Sequence, residues 1–210
     1  MPAARTSQRL QQLLSRRPDL WRGRRRPAGD VLPTGRSGLD GQLPTGGWPR
    51  GRLTEFLPAV AGTSATSLLL PALAGLTRQS LPVVFAGPLL VPYPQGLARA
   101  GLDLKHLLVL EPKPDVLWAA EQCLKSGLCG AVLVWHPPGR VQPKAIRRLQ
   151  LAAGNGAAPV FVWYHPGQQP PSSIATLRLA VHPGPELEIL RSRISPAVPE
   201  SGSLGFRLKT

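Results

Sequence analysis

The sequence predicts an α/β fold, a mostly parallel sheet with helices on both faces. Candidate strands and helices alternate through the middle of the chain, which is the pattern that parallel crossovers require. With 210 residues and an apolar fraction of 42% the chain also has the means to bury a core. A chain of this length hides roughly 70% of its unfolded surface.

In chain order, Ser7 to Ser15 reads as a short helix with Leu10, Leu13 and Leu14 on one face, stopped by Pro18. It lies in a basic arm, residues 1–36, ahead of a core domain, residues 37–193. Strands are predicted at Arg52–Leu57, Pro82–Ala86, Leu107–Glu111, Ala131–Trp135, Val160–Tyr164, Thr176–Val181 and Glu186–Arg191. Helices are predicted at Ser67–Arg78, Asp115–Ser126 and Lys144–Ala153. In the second of these, Asp115 caps the start, Gly127 ends it, and Leu117, Ala120 and Leu124 face inward. In the third, Leu149 and Ala152 point at the sheet while Arg147 and Arg148 stand on a helix face beside Gln150. Trp48, Trp118, Trp135 and Trp163 flank these elements and are expected to be buried packing residues. Residues 194–210 form a flexible Pro/Ser/Gly-containing tail ending in Leu204-Gly205-Phe206-Arg207-Leu208-Lys209.

The 25 Pro and 22 Gly predict long ordered loops around a compact centre. Runs such as Leu68-Leu69-Leu70-Pro71-Ala72-Leu73-Ala74 fall short of the roughly 18 to 20 apolar residues that a membrane span needs. No apolar signal core follows the basic N-terminus, so the cytoplasm is the expected location. Cys123 and Cys129 match neither a redox pair nor a zinc site, and no metal or cofactor is expected.

Charge is large and uneven. Of the net +14, the arm contributes nine arginines against Asp19 and Asp30. Trp21, Arg22, Arg24, Arg25 and Arg26 lie together in it. Such a cluster suits an acidic partner, whether nucleic acid or protein, and equally suits a solvated tail. The acid-free segment Pro137–Gly156 carries Arg140, Lys144, Arg147 and Arg148, which reads as a solvated helix face, a protein contact or a phosphate contact.

The turn after the first long strand reads Pro58-Ala59-Val60-Ala61-Gly62-Thr63-Ser64-Ala65-Thr66-Ser67. It sits where a phosphate-binding loop would, yet it keeps one glycine and no lysine. Gly62, Thr63, Ser64 and Thr66 form a vestigial nucleotide loop at most, or a plain turn that caps the helix. Upstream, Pro33-Thr34-Gly35, Gly38-Leu39-Asp40 and Leu43-Pro44-Thr45-Gly46-Gly47-Trp48-Pro49-Arg50-Gly51 look like the approach to the first core strand of RecA-family proteins. Further segments narrow the likeness: Leu20-Trp21-Arg22-Gly23, Val91-Pro92-Tyr93, Leu117 to Gly127, Gly130 to Trp135 and Arg147 to Ala153. Over roughly residues 20 to 192 the chain resembles the ImuA family, RecA-like accessory proteins of bacterial translesion synthesis.

The resemblance implies a RecA-like core with a degenerate nucleotide site. Where RecA-type ATPases carry a water-polarising Glu, this chain has Ala86-Gly87-Pro88-Leu89-Leu90; where their Asp holds the magnesium shell, it has Trp135 and His136. An indole cannot replace a carboxylate around a hard cation. With the lysine also missing, no ATPase activity is expected. The two DNA-gripping loops of RecA proteins are reduced here to about His136–Pro143 and His165–Ser173. The function this resemblance implies is that of a non-catalytic adaptor of the DNA-damage response. Its implied partners are ImuB, an error-prone DNA polymerase III alpha-type subunit and RecA, with weak DNA contact at most. Two alternatives stand beside it: a SulA-like division inhibitor acting on FtsZ, and a basic single-stranded-DNA-binding protein.

Overall fold

The structure is a computed structural model that describes residues 31–60, 66–111, 115–168, 170, 174–183 and 186–193. The expected arm helix, the arm cluster Trp21 to Arg26 and the tail 194–210 lie outside the described residues.

A short antiparallel pair, β1 (Val31–Leu32) and β2 (Trp48–Pro49), leads into the main sheet. Val31 to Arg36 therefore belong to the folded body rather than to the arm. Between the pair, α1 (Ser37–Gln42) turns on a local brace: the Thr34 amide donates to Asp40 Oδ1 at 2.9 Å, and the Arg36 amide donates to Thr34 Oγ1 at 3.1 Å. Gly35 adopts φ +78°, and a Cβ there would meet Pro71 Cβ at 2.5 Å. The Pro33-Thr34-Gly35 and Gly38-Leu39-Asp40 motifs thus have a structural use.

The main sheet runs β5 (Leu107–Leu110), β4 (Val83–Ala86), β6 (Ala131–Trp135), β7 (Val160–Trp163), β3 (Leu53–Pro58), β8 (Leu177–His182), β9 (Glu186–Ser192). Pairing is parallel throughout except for β8 with β9. This is the mostly parallel α/β sheet that the alternation predicts. The central strands read as unbroken apolar runs because both of their faces are covered.

Side-chain alternation divides the core in two. On one face, Leu69, Leu73 and Leu76 of α2 (Thr66–Arg78) pack over Phe56, Phe85, Leu133 and Phe161. On the other, Ala120 and Leu124 of α4 (Val116–Lys125) and Ile146 and Leu149 of α5 (Pro143–Gly156) cover Val84, Val132, Val134, Val160 and Val162. A further short helix, α3 (Pro94–Arg99), has no buried residue.

Element boundaries fall within one or two residues of expectation, apart from α5, which runs three residues further to Gly156. The six-residue helices α1 and α3 are too short to show a sequence period, so the pattern does not predict them. Several local expectations are corrected. Asp115 precedes α4 at φ −94° and ψ 35° and makes no side-chain cap bond. Val116 is buried and Leu117 only half-buried, which leaves Trp118 on the outside, 58% exposed. Gln150 turns away from the arginines, its Oε1 accepting from the Leu53 amide at 3.0 Å.

One buried polar cluster interrupts the apolar core. Glu55, in the middle of β3, is 1% exposed. Tyr164 Oη donates to its Oε1 at 2.8 Å, and Arg178 Nε donates to its Oε2 at 2.9 Å. Register places Glu55 beside Arg178 on β8, while Tyr164 directly follows β7. Burial beside a carboxylate raises the Tyr164 phenol well above its ordinary value and keeps it protonated as the donor. Removing one partner of such a pair strands the other charge. Arg178→Met should cost about 3–5 kcal/mol in denaturant unfolding, and adding Glu55→Gln should recover part of it. A single-variant loss below about 1 kcal/mol would show that the pair is not holding the sheet.

Candidate functional site

Ligands of parallel α/β sheets gather where the strands end, because the crossover helices begin there with their free N–H groups. On the α2 face that edge is an aromatic floor. Pairing sets Trp135 opposite Trp163, and Phe56 opposite Trp163. The Trp135 and Trp163 rings stack at 5.5 Å and 17°, and Phe56 and Trp163 at 4.5 Å and 16°. Phe85 meets Trp135 edge-on at 5.4 Å, while Trp48 reaches Phe56 at 5.9 Å. Trp48 and Trp163 are buried as expected. The Trp135 indole is thus packed between Phe85 and Trp163 at the end of β6.

Above this floor lies a groove of about 320 Å³, and none of the described residues lining it is charged. Its rim includes Leu89, Leu90, Val91 and Tyr93, exposed by 60%, 83%, 82% and 64%. Apolar residues grouped in this way mark interaction surfaces. Thr66 also lines the groove at the start of α2; Gly62, Thr63 and Ser64 lie outside the described residues. A polyphosphate entering such a groove would lose its hydration with no fixed cation among the described lining to replace it. At the sheet's border, β5 adds exposed Leu108 and Val109 on an edge strand. Unpaired strand edges of this kind invite partners.

The opposite face of the same edge is polar. His136 is 4% exposed, and its ring lies 5.4 Å from that of Tyr164. His136 Nδ1 is 2.7 Å from the Pro137 carbonyl, which fits an Nδ1–H donor. The Gln168 side chain ties two loops together: Nε2 donates to Gly139 O at 2.7 Å, and Oε1 accepts from the His165 amide at 3.0 Å. The two loops expected as shortened DNA loops are thus braced against each other.

The basic residues do not form one free patch. Arg140, Lys144 and Arg147 are exposed. Arg148 instead reaches Glu121 Oε2 at 2.6 Å, joining α5 to α4, while Lys125 takes Oε1 at 2.7 Å. Burial pushes the Glu121 carboxyl up, but those two cations outweigh it and hold the carboxyl below its ordinary value. Arg140 and Arg148 line a common cleft; Lys144 and Arg147 do not. Cys123 and Cys129 are free, and burial raises both thiols. Among the described residues there is no group of three or more potential metal ligands, and no helix is long and apolar enough to cross a membrane.

Sequence reasoning missed Glu55, Tyr164, Arg178 and Gln168. A lone carboxylate inside the run Leu53-Thr54-Glu55-Phe56-Leu57 was the available signal, since a buried strand admits such a residue only with a partner.

No family model matches the chain. It is similar to the protein RecA of Thermus aquaticus, 33% identical over 107 residues, which is 50% of this chain and 31% of the relative. The mitochondrial DNA repair protein recA homolog of Dictyostelium discoideum is 37% identical over 108 residues, 50% of this chain and 24% of the relative. The chain therefore spans about a third or less of the length of these curated relatives. Among solved structures, SulA from Pseudomonas aeruginosa superposes with a TM-score of 0.42 at 24% identity, covering 53% of this chain and 98% of that one. That superposition is too loose to bear on function. Over that half of the chain the sequence is similar to RecA proteins, and the mostly parallel sheet with helices on both faces is consistent with a RecA-like core.

Burial pushes the His136 imidazole below its ordinary value of 6.5, against the pull of the Pro137 carbonyl, with His165 adding repulsion. The unfolded chain thus takes the proton more readily. Stability from this group is complete above about pH 6.5 and is lost as pH falls through the lower folded value. His136→Asn is expected to flatten the stability profile between pH 7 and pH 5 relative to the parent protein. Parallel profiles for the two proteins would refute this.

Proposed function

We propose that the chain is a non-catalytic RecA-like adaptor of the DNA-damage response that works by docking other proteins. The observation that carries this reading is the stacked Trp135–Trp163 floor beneath an uncharged groove, at the edge where a RecA-type ATPase arranges carboxylates, lysine and magnesium. A single preorganised electrostatic group is commonly worth about 3 kcal/mol of barrier. The lysine, Glu and Asp are all missing from the corresponding positions of this sequence. None of the described residues lining the groove is charged, so none of them supplies that chemistry by another route.

What replaces them suits protein contact. Leu89, Leu90, Val91 and Tyr93 present apolar surface that a lone soluble domain ordinarily hides. The RecA relatives support a place in DNA repair or damage tolerance. The resemblance to the ImuA family then selects the partners: ImuB, an error-prone DNA polymerase III alpha-type subunit, and RecA itself. In this reading the RecA-shaped core brings the polymerase complex to a RecA-coated, stalled primer without spending ATP.

The test is recovery of a tagged full chain from DNA-damaged cells of the native host, with nuclease treatment. ImuB, the polymerase or RecA should be retained, and Leu90→Asp with Val91→Asp should reduce recovery about tenfold or more, as charge placed in an interface core does. The purified protein should hydrolyse no ATP above the blank. Recovery of FtsZ alone, loss of all partners on nuclease treatment, or measurable turnover would each sink the adaptor reading.

A further inference from the structure

The outer surface of the two helices that cover the other face of the sheet is not an ordinary solvated layer. Trp118, Gln122 and Lys125 follow one another at helical spacing on α4, and all three are exposed. Lys144, Arg147 and Leu151 do the same on α5, with Leu151 61% exposed. Arg148 joins the two rows through Glu121, whose other oxygen takes Lys125. At the start of the two helices the surface opens into a cavity of about 310 Å³ bordered by Trp118, Ala145 and Arg148.

Two large apolar side chains, Trp118 and Leu151, thus stand in water among cations. Lys144 and Arg147 have no ion-pair partner among the described residues, and Lys125 and Arg148, with side chains 51% and 49% exposed, share a single carboxylate. Asp115 is exposed at one end of this surface, and residues 137–156 contain no acid. A phosphate backbone would use the cations and leave Leu151 in water, since an aliphatic side chain neither stacks on a base nor binds phosphate. A purely apolar partner would bury the cations without counter-charge. An acidic amphipathic segment answers both, and this chain supplies none. Its net charge is +14, its arm holds nine arginines against two aspartates, and residues 194–210 hold Glu200 against Arg207 and Lys209.

We propose that the outer face of α4 and α5 docks an acidic amphipathic helix of another protein, with apolar side chains on Trp118 and Leu151 and carboxylates on Lys144 and Arg147. The spacing suits a helix. Trp118 borders the same cavity as Ala145, which precedes Leu151 along α5 by a rise of about 9 Å. Apolar residues at i and i+7 of a partner helix span about 10 Å, and the turn between them carries the carboxylates over the cations. Exposed Trp beside Arg is also the composition of binding hot spots. The Glu121 clasp holds α4 against α5 and fixes Arg148 and Lys125, so little side-chain order has to be gained on binding. This face lies across the sheet from the uncharged groove, so the inference stands whether or not that groove docks a partner.

Site-specific photocrosslinking tests it. A tagged full chain carrying the photoreactive residue benzoylphenylalanine in place of Leu151, or of exposed Gln79 as a control, is irradiated in cells of the native host with and without DNA damage. The crosslinked peptides are then sequenced by mass spectrometry. The expected product, specific to position 151, is a segment of another protein with acidic residues in excess and apolar residues at i and i+7. Lys144→Glu with Arg147→Glu should lower its yield about tenfold, since like charges then face each other. Leu90→Asp, in the groove, should leave the yield unchanged, so failure of the groove and failure of this face are told apart. Both reversed side chains are exposed, and circular dichroism verifies that the variants remain folded. Yield no higher than at position 79, nuclease-sensitive crosslinks to nucleic acid, crosslinks to a second copy of the chain or to a segment without excess acid, or a yield indifferent to the double reversal or abolished by Leu90→Asp would each overturn the proposal.

Discussion

The parallel pairing of β6 with β7 fixes what the sheet edge can do, because it places Trp135 opposite Trp163 and, one rung later, His136 beside Tyr164. The His136 amide donates to the Trp163 carbonyl at 2.8 Å and carries the ladder past the last strand residue. Since successive side chains point to opposite faces, the two tryptophans must lie under α2 and the His–Tyr pair under α5. A slip of one residue would exchange them and put apolar rings against Glu55. The carboxylate of β3 thus helps specify the register. Its partners are Tyr164, which follows β7, and Arg178, which stands beside it on β8.

This polar cluster is weak evidence for stability in itself, since burying charge costs several kcal/mol and good geometry does little more than offset it. Its consequence is uniqueness. Apolar residues of β3, β7 and β8 tolerate several packings, whereas Glu55 tolerates only one in which a donor meets each oxygen. The aromatic floor is the opposite case. Its rings gain from dispersion and offset stacking, about 0.5–1.5 kcal/mol per pair beyond burial. That gain is available only because no carboxylate needs hydrating there.

The sheet was legible in the sequence because its strands are short, β4 to β7 are wholly apolar, and helices of ten residues or more follow β3, β5 and β6. Composition supports that inference, and packing does not overturn it. The features that were not legible depend on small rotations and on distant partners. Whether Trp118 is inside or outside α4 turns on a shift of the inward face from Leu117 to Val116. Asp115 looks like a cap by residue type, yet its backbone angles leave the side chain without a cap bond. Arg148 looks free beside Arg147, and only the fold brings Glu121 of another helix to 2.6 Å. Phe56, Trp135 and Trp163 were readable one by one, but the stacking that turns them into a surface needs three strands in register.

The two cavities differ because alternation separates their chemistry. On the α2 face, Phe85, Trp135 and Trp163 descend from strand positions that feed the apolar core, so any cavity above them inherits an uncharged floor. On the α4–α5 face, the strand ends pass into His136 and Tyr164, and the cavity there is lined by His136, Arg140 and Arg148. Along β3 the same alternation sets Phe56 in the apolar core of the α2 face and Glu55, with Tyr164 and Arg178, on the α4–α5 face.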